Sequence, residues 1–168
     1  MKIYIDSNVF VSSVINTEQT HSESKKFMDY LIKMQFPKEV IFCTSRFTEV
    51  EVASAIFRRT KNEDKARSTL HKIERPWKNK ICLFPENPKV KVNLDDLVIK
   101  LVETALRYGT SFGDTVHAND AESYSIDYLV TWNEKDFKRL PKNIRSLKVA
   151  NPTKMLIKLK EKYGKAKI

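Results

Sequence analysis

The sequence predicts an α/β fold, a three-layer α/β/α sandwich with a mainly parallel central sheet. Two patterns carry that expectation. Short apolar runs such as Lys2-Ile3-Tyr4-Ile5 and Val40-Ile41-Phe42-Cys43 recur along the chain. They alternate with longer segments whose apolar residues return at helical spacing. A third observation bounds the answer: 168 residues suffice for one domain with a real core and are too few for two ordinary ones.

The elements follow in order. Lys2 to Ile5 reads as a first strand that stops at Asp6, after which Ser7-Asn8-Val9-Phe10-Val11 opens a helix with Ser7 as its expected cap. His21 to Gln35 is helical in pattern, and Pro37 ends it. A second strand, Val40 to Thr44, runs through Ser45 into a helix from Phe47 to Thr60. The charged stretch Lys61 to Glu74 is another helix, ended by Pro76; Lys80 to Phe84 is a short strand; Pro85 and Pro88 mark a loop. The clearest helix runs from Leu94 to Tyr108. Its Leu94, Leu97, Val98, Leu101, Val102 and Ala105 form one apolar face, and Gly109 closes it. A helix beginning near Gly113-Asp114, a strand Tyr128 to Thr131 and a strand Leu147 to Ala150 follow, and Pro152 opens a basic amphipathic helix.

Composition narrows the function classes. Apolar residues make up 41% and charged residues 31% of the chain, which fits a soluble globular protein and calls for neither disorder nor a membrane class. No run approaches the ~20 apolar residues of a membrane span. Asp6 interrupts the first apolar run before a signal-peptide core could form, so a cytoplasmic protein is expected. Cys43 and Cys82 lie in apolar strand-like runs and read as buried thiols. The histidines, His21, His71 and His117, are scattered singly, unlike a zinc site. Lys and Arg outnumber Asp and Glu by 31 to 21, which favours an anionic partner, nucleic acid first. Half of that surplus, six Lys against one Glu, lies between Lys154 and Ile168.

In a parallel sheet of this kind, ligands bind at the carboxyl ends of the strands where strand order reverses. That rule gives meaning to the acids. Asp6 ends the first strand, Glu51 lies early in the helix after the second, and Asn133 follows the strand Tyr128 to Thr131. Each is commonplace alone: Asp at a strand end is most often a turn or cap residue, a helix Glu is most often solvated, and Asp114 could cap its helix. Glu49 and Glu51 are about 200° apart on their helix, so both cannot face one cluster, and periodicity does not choose between them. Asp120 is about 240° around from Asp114, whereas His117, at i+3, lies roughly on the Asp114 side.

Four segments in this order, Ile5-Asp6-Ser7-Asn8-Val9, Thr44-Ser45-x-x-Thr48-x-x-Glu51, Asp114-Thr115-x-His117-Ala118 and Leu129-Val130-Thr131-x-Asn133-x-x-Asp136-Phe137, together resemble the PIN-domain family, especially its small VapC-like toxin ribonucleases. The resemblance runs from Asp6 to about Pro152. It implies a PIN-like nuclease domain over residues 1–152, followed by a basic C-terminal helix or tail over 153–168. It places Asp6, Glu51 and Asp114 on the family's metal-binding acids, with Glu51 preferred over Glu49 by its spacing from Ser45. The fourth acidic position falls on Asn133, and Asp136 is the residue that could supply the missing charge. Since the family's chemistry is carboxylate-based, His117 is expected to pack beside the ligands rather than to be one.

The implied activity is an endoribonuclease, dependent on Mg²⁺ or Mn²⁺, that cuts single-stranded RNA to leave a 5′-phosphate. Clustered acids repel one another unless a cation neutralises them, and hard oxygen donors select such ions. Partners implied are RNA, an antitoxin-like protein and a second copy in a homodimer. The alternative is a catalytically weakened PIN-fold module that binds RNA or acts as a scaffold, which Asn133 would permit. A receiver-like protein phosphorylated on Asp6 would want a second acid beside it, where Ser7 and Asn8 stand. With three glycines in the whole chain, neither a P-loop nor a dinucleotide fingerprint can be built.

Overall fold

The computed structural model describes residues 1–72, 80–84, 94–137 and 147–164. Pro76, Pro85, Pro88 and Lys165 lie outside the described residues. Five strands, β1 (Lys2–Ile5), β2 (Ile41–Ser45), β3 (Ile81–Phe84), β4 (Tyr128–Val130) and β5 (Lys148–Ala150), form one sheet in the order β3-β2-β1-β4-β5. Every pairing is parallel. The chain leaves β1 towards β2 and β3 on one side and returns to β4 and β5 on the other, so strand order reverses at β1.

Side chains of successive strand residues point to opposite faces, and the sequence uses that alternation. Ile3, Ile5, Phe42 and Val130 enter a core with helices α1 (Ser7–Val14), α2 (His21–Lys33), α3 (Arg46–Thr60) and α8 (Pro152–Tyr163). Tyr4, Cys43 and Leu129 face the other way, against Ala118 and Ala121 of α6 (Phe112–Ser123) and Phe137 of α7 (Glu134–Phe137). Helix α4 (Glu63–Lys72) packs on α3, and α5 (Leu94–Tyr108) packs on α6. These are the three expected layers. Met155 and Leu159 anchor α8 in the first core, although its surface is lysine-rich. None of the described helices is long and apolar enough to cross a membrane.

One local expectation is corrected. Helix α1 does begin at Ser7, but its N-cap is Asp6, whose carboxylate makes no capping bond because Asn8 and Thr131 engage it. On α5, Leu101 is buried, whereas Val98 and Val102 of the same apolar face are exposed. Gly109 closes α5 as expected, with φ of +61° that favours glycine. Neither cysteine is in a disulfide; Cys43 is buried and Cys82 half-buried, and they are register partners on β2 and β3.

Candidate functional site

Asp6 leaves the carboxyl end of central strand β1 and is almost fully buried. A buried carboxylate needs donors, and four groups converge on this one. Its Oδ2 accepts from Thr131 Oγ1 at 2.6 Å and Asn8 Nδ2 at 2.7 Å. Its Oδ1 accepts from Ser7 Oγ at 3.2 Å and lies 3.4 Å from His117 Nε2. Asn8 also donates to Thr131 Oγ1 and accepts from the Trp132 amide, which ties the ends of β1 and β4 together.

Glu51 arrives from α3 in the opposite helical layer. Helix α3 starts at the top of β2, with the Ser45 side chain accepting from the Phe47 amide as its cap. From there Glu51 Oε2 reaches His117 Nε2 of α6 at 2.6 Å. Glu49 turns to Arg46 instead. Carboxylate oxygens of Asp6 and Glu51 and a nitrogen of His117 all lie within 4.8 Å of one another, a grouping able to hold a cation. Room for Glu51 depends on Gly113, because a Cβ there would sit well inside contact distance of Glu51 Oε1.

His117 is 1% exposed and bonded at both ring nitrogens. Nδ1 meets the hydroxyl of fully buried Tyr4 at 2.7 Å, so a continuous chain runs Tyr4–His117–Glu51 across the top of the sheet. Burial lowers the imidazole's proton affinity, but the Glu51 hydrogen bond and the charges of Asp6, Glu51 and Asp120 outweigh it, and the net shift is upward. Burial likewise works to raise Glu51, yet hydrogen bonds from His117 and Ser7 and the imidazole's charge bring it below its ordinary value. The two directions agree: each partner favours the charged form of the other. Burial drives the Tyr4 hydroxyl well up, reinforced by the Asp120 and Asp6 charges.

Asp114 sits at the first turn of α6, where Ser111 is the cap. The Ser111 hydroxyl accepts from the Asp114 amide at 3.1 Å and donates to its carboxylate at 2.7 Å. Burial raises the Asp114 carboxyl, and the charges of Asp6 and Asp136 add to this against hydrogen bonds from Ser111 and Asn133. Asn133 Nδ2 lies 3.4 Å from both Asp114 oxygens. The five sequence candidates thus divide. Asp6 and Glu51 meet around His117, while Asp114 is coupled by charge to Asp6 and to Asp136 and has Asn133 beside it. Asp120, on another face of α6, lies beside Ser45 and His117, and burial raises it.

The sequence reading missed Tyr4, Asn8, Thr131 and Gly113. One signal was available for Tyr4: a hydroxyl on an otherwise apolar strand must find a buried partner. The hard-donor expectation fits the oxygens of Asp6, Glu51 and Asp114.

No protein-family model matches the sequence, and neither does any curated protein. Solved structures match the fold. VapC20 of Mycobacterium tuberculosis, described as a sarcin-ricin loop cleaving toxin, aligns at TM-score 0.59 and 13% identity, covering 80% of this chain and 92% of that one. A chain of the VapBC2 complex from Rickettsia felis, bound to a DNA fragment from its promoter, aligns at 0.58 and 17% identity over 90% and 98% of the two chains. A chain of VapBC-1 from nontypeable Haemophilus influenzae aligns at 0.58 and 17% identity over 91% and 99%. The chain therefore has the VapC-like PIN fold that its motifs suggested.

Proposed function

We propose that this protein is a divalent-metal-dependent endoribonuclease that hydrolyses RNA phosphodiesters at the acidic cluster, and that it is the toxin of a toxin–antitoxin pair. The observation that carries the proposal is the meeting of Asp6 and Glu51, with Asp114 coupled to Asp6, at the strand ends where order reverses. Fold neighbours that include a sarcin-ricin loop cleaving toxin and VapBC complexes support it.

Asp6, Glu51 and Asp114 would hold the ion, Mg²⁺ or Mn²⁺. Such an ion supplies Lewis acidity toward water and toward the phosphodiester oxygens. The protein's own part is positioning. Thr131 and Asn8 saturate Asp6 Oδ2 and leave Oδ1 turned towards Glu51 and His117. His117 Nε2 keeps a proton between the two carboxylates and fixes Glu51, while Tyr4 fixes the ring. Asn133 and Asp136 complete the rim beside Asp114. The products would be a 5′-phosphate and a 3′-hydroxyl. Net charge of +10 favours the RNA partner, and an antitoxin-like protein would shield the cluster.

The test is cleavage of mixed single-stranded RNAs with Mg²⁺, with Mn²⁺ and with EDTA, using Asp114→Asn and Glu51→Gln as controls. Cleavage that needs the ion and is lost in both variants is expected. A second reading, an RNA-binding or scaffolding module with a weakened site, has one observation on its side, the neutral Asn133 beside Asp114. RNA binding with no cleavage under any ion would favour it.

A further inference from the structure

Next to the cluster lies a cavity of about 510 Å³, walled by α1, α3, the approach to α2 and Trp132. One end is the site already described, since Ser7, Asn8 and Glu51 line both. At the other end are Arg58 and Arg59. Arg59 is committed to an ion pair with Glu18. Arg58 is not: its guanidinium donates to Ser54 Oγ at 2.9 Å, and among the described residues it makes no ion pair. Arg58 follows Glu51 by seven residues on one helix, so it lies about 10 Å further along and within about 20° of the same face. Trp132 forms an aromatic part of the wall, and its indole is held by Nε1 donating to buried Ser24 Oγ at 2.7 Å and by its amide bonded to Asn8.

We infer that this cavity is a binding subsite for the nucleotide adjoining the bond to be cut, with Arg58 on its phosphate and the fixed Trp132 ring as a surface for its base. The inference rests on the endoribonuclease reading and adds a direction to it: the strand crosses the cluster and continues along α3. A guanidinium with no ion pair among the described residues, on the same helical face as a group of acids, is the pattern for an anionic chain whose scissile phosphate meets a cation and whose next phosphate needs one from the protein. An aromatic plane beside it suits any base, because every base has a π-face. A single strand suits it best, since its bases are already unstacked, whereas a paired base would first have to be flipped out at the cost of its stacking and pairing.

The experiment compares wild type, Arg58→Ala and Arg58→Lys on a dinucleotide, which has only the scissile phosphate, and on a single-stranded 12-mer. Binding of the 12-mer is measured in EDTA, where no cleavage occurs, across a salt series. Arg58→Ala should weaken 12-mer binding roughly tenfold, the size of one charge-assisted hydrogen bond. Its log–log salt slope should flatten by about 0.7, the single-strand value for one phosphate. Arg58→Lys should restore the slope and part of the affinity. In cleavage, KM for the 12-mer should rise more than kcat falls, and by a larger factor than for the dinucleotide. An unchanged slope and affinity in Arg58→Ala would overturn the subsite and hand the cavity to another occupant, such as an acidic peptide of a partner protein. If the wild type binds RNA with the Arg58-dependent slope yet never cleaves, the nuclease reading fails while the subsite stands.

Discussion

Gly113→Ala separates site geometry from stability. The new Cβ would run into Glu51 Oε1, while the next nearest atoms, Glu51 Cδ at 3.6 Å and Ser111 Oγ at 4.0 Å, are at ordinary distance. The obstacle is the far end of a flexible side chain, so Glu51 can turn aside and the backbone can stay. Alanine in a helix stabilises by about 0.5–1 kcal/mol relative to glycine. Against this stands the loss of the 2.6 Å Glu51–His117 bond, about 1.5–3 kcal/mol for a bond to a charged group and less here because Glu51 is partly exposed. The two terms largely offset one another. A melting shift of no more than about 5 °C is expected at the ~2–4 °C per kcal/mol typical of this chain length. Chemistry should be far more sensitive, since a carboxylate misplaced by ~1 Å can cost ~100-fold in rate. Thermal melts and a metal-titrated cleavage assay on the same preparation read both quantities. Wild-type activity with wild-type metal dependence would refute the idea that Glu51 is positioned by the gap at Gly113. A collapse of the melting temperature would mean that the gap serves packing.

Tyr4→Phe should lower stability by about 1–3 kcal/mol, read by urea denaturation, because it strands His117 Nδ1 in a dry core. Asp114→Asn should raise the melting temperature of the metal-free protein by removing a carboxylate whose charge is disfavoured by burial first and by the Asp6 and Asp136 charges second, whereas Asp6→Asn should lower it, because Thr131 and Asn8 lose a charged acceptor. Because His117 is raised in the folded state, its contribution is full below an unfolded pKa of about 6.5 and is lost as pH rises through the folded value. Glu51 is lowered, so its contribution is present above about 4.3 and is lost as pH falls through its folded value. The stability gap between wild type and His117→Gln should therefore narrow from pH 6 towards pH 9, and a flat gap in pH-resolved melts would contradict the pairing. Asn133→Asp should lower the metal concentration for half-maximal cleavage and Asp136→Asn should raise it; no change in either variant would remove both residues from the site.

Much of the fold was legible because packing leaves a period in the sequence. Ile3 and Ile5 against Tyr4, or Phe42 against Cys43, alternate in two-residue steps that the sheet resolves into two cores. The helices betray themselves by spacing and by end signals such as Gly109 and Pro152. The apolar face of α5 shows the limit of periodicity. It marks a stripe but not what covers it, and Val98 and Val102 remain exposed beside buried Leu101. The preference for Glu51 over Glu49 came from family resemblance alone. In the structure Ser45 caps α3 at the top of β2, Glu51 reaches His117 of α6, and Glu49 turns to Arg46.

What stayed hidden was the wiring between distant segments. Tyr4 and His117 are 113 residues apart, and His117 and Glu51 are 66 apart. No local pattern encodes such contacts, and a solitary histidine reads as a packed one. That reading is true of its burial and silent about its charge. The chemistry closes the gap: two carboxylates brought within 4.8 Å at a strand end repel, and a fold that must exist before any ion arrives needs an internal cation. An imidazole whose proton affinity is raised by those same carboxylates meets that need, and only while its far nitrogen is satisfied, which is the task of Tyr4. Asp114, bonded to Ser111 and close to Asn133, lies outside the Tyr4–His117–Glu51 chain, and burial first, with the Asp6 and Asp136 charges behind it, raises its carboxyl.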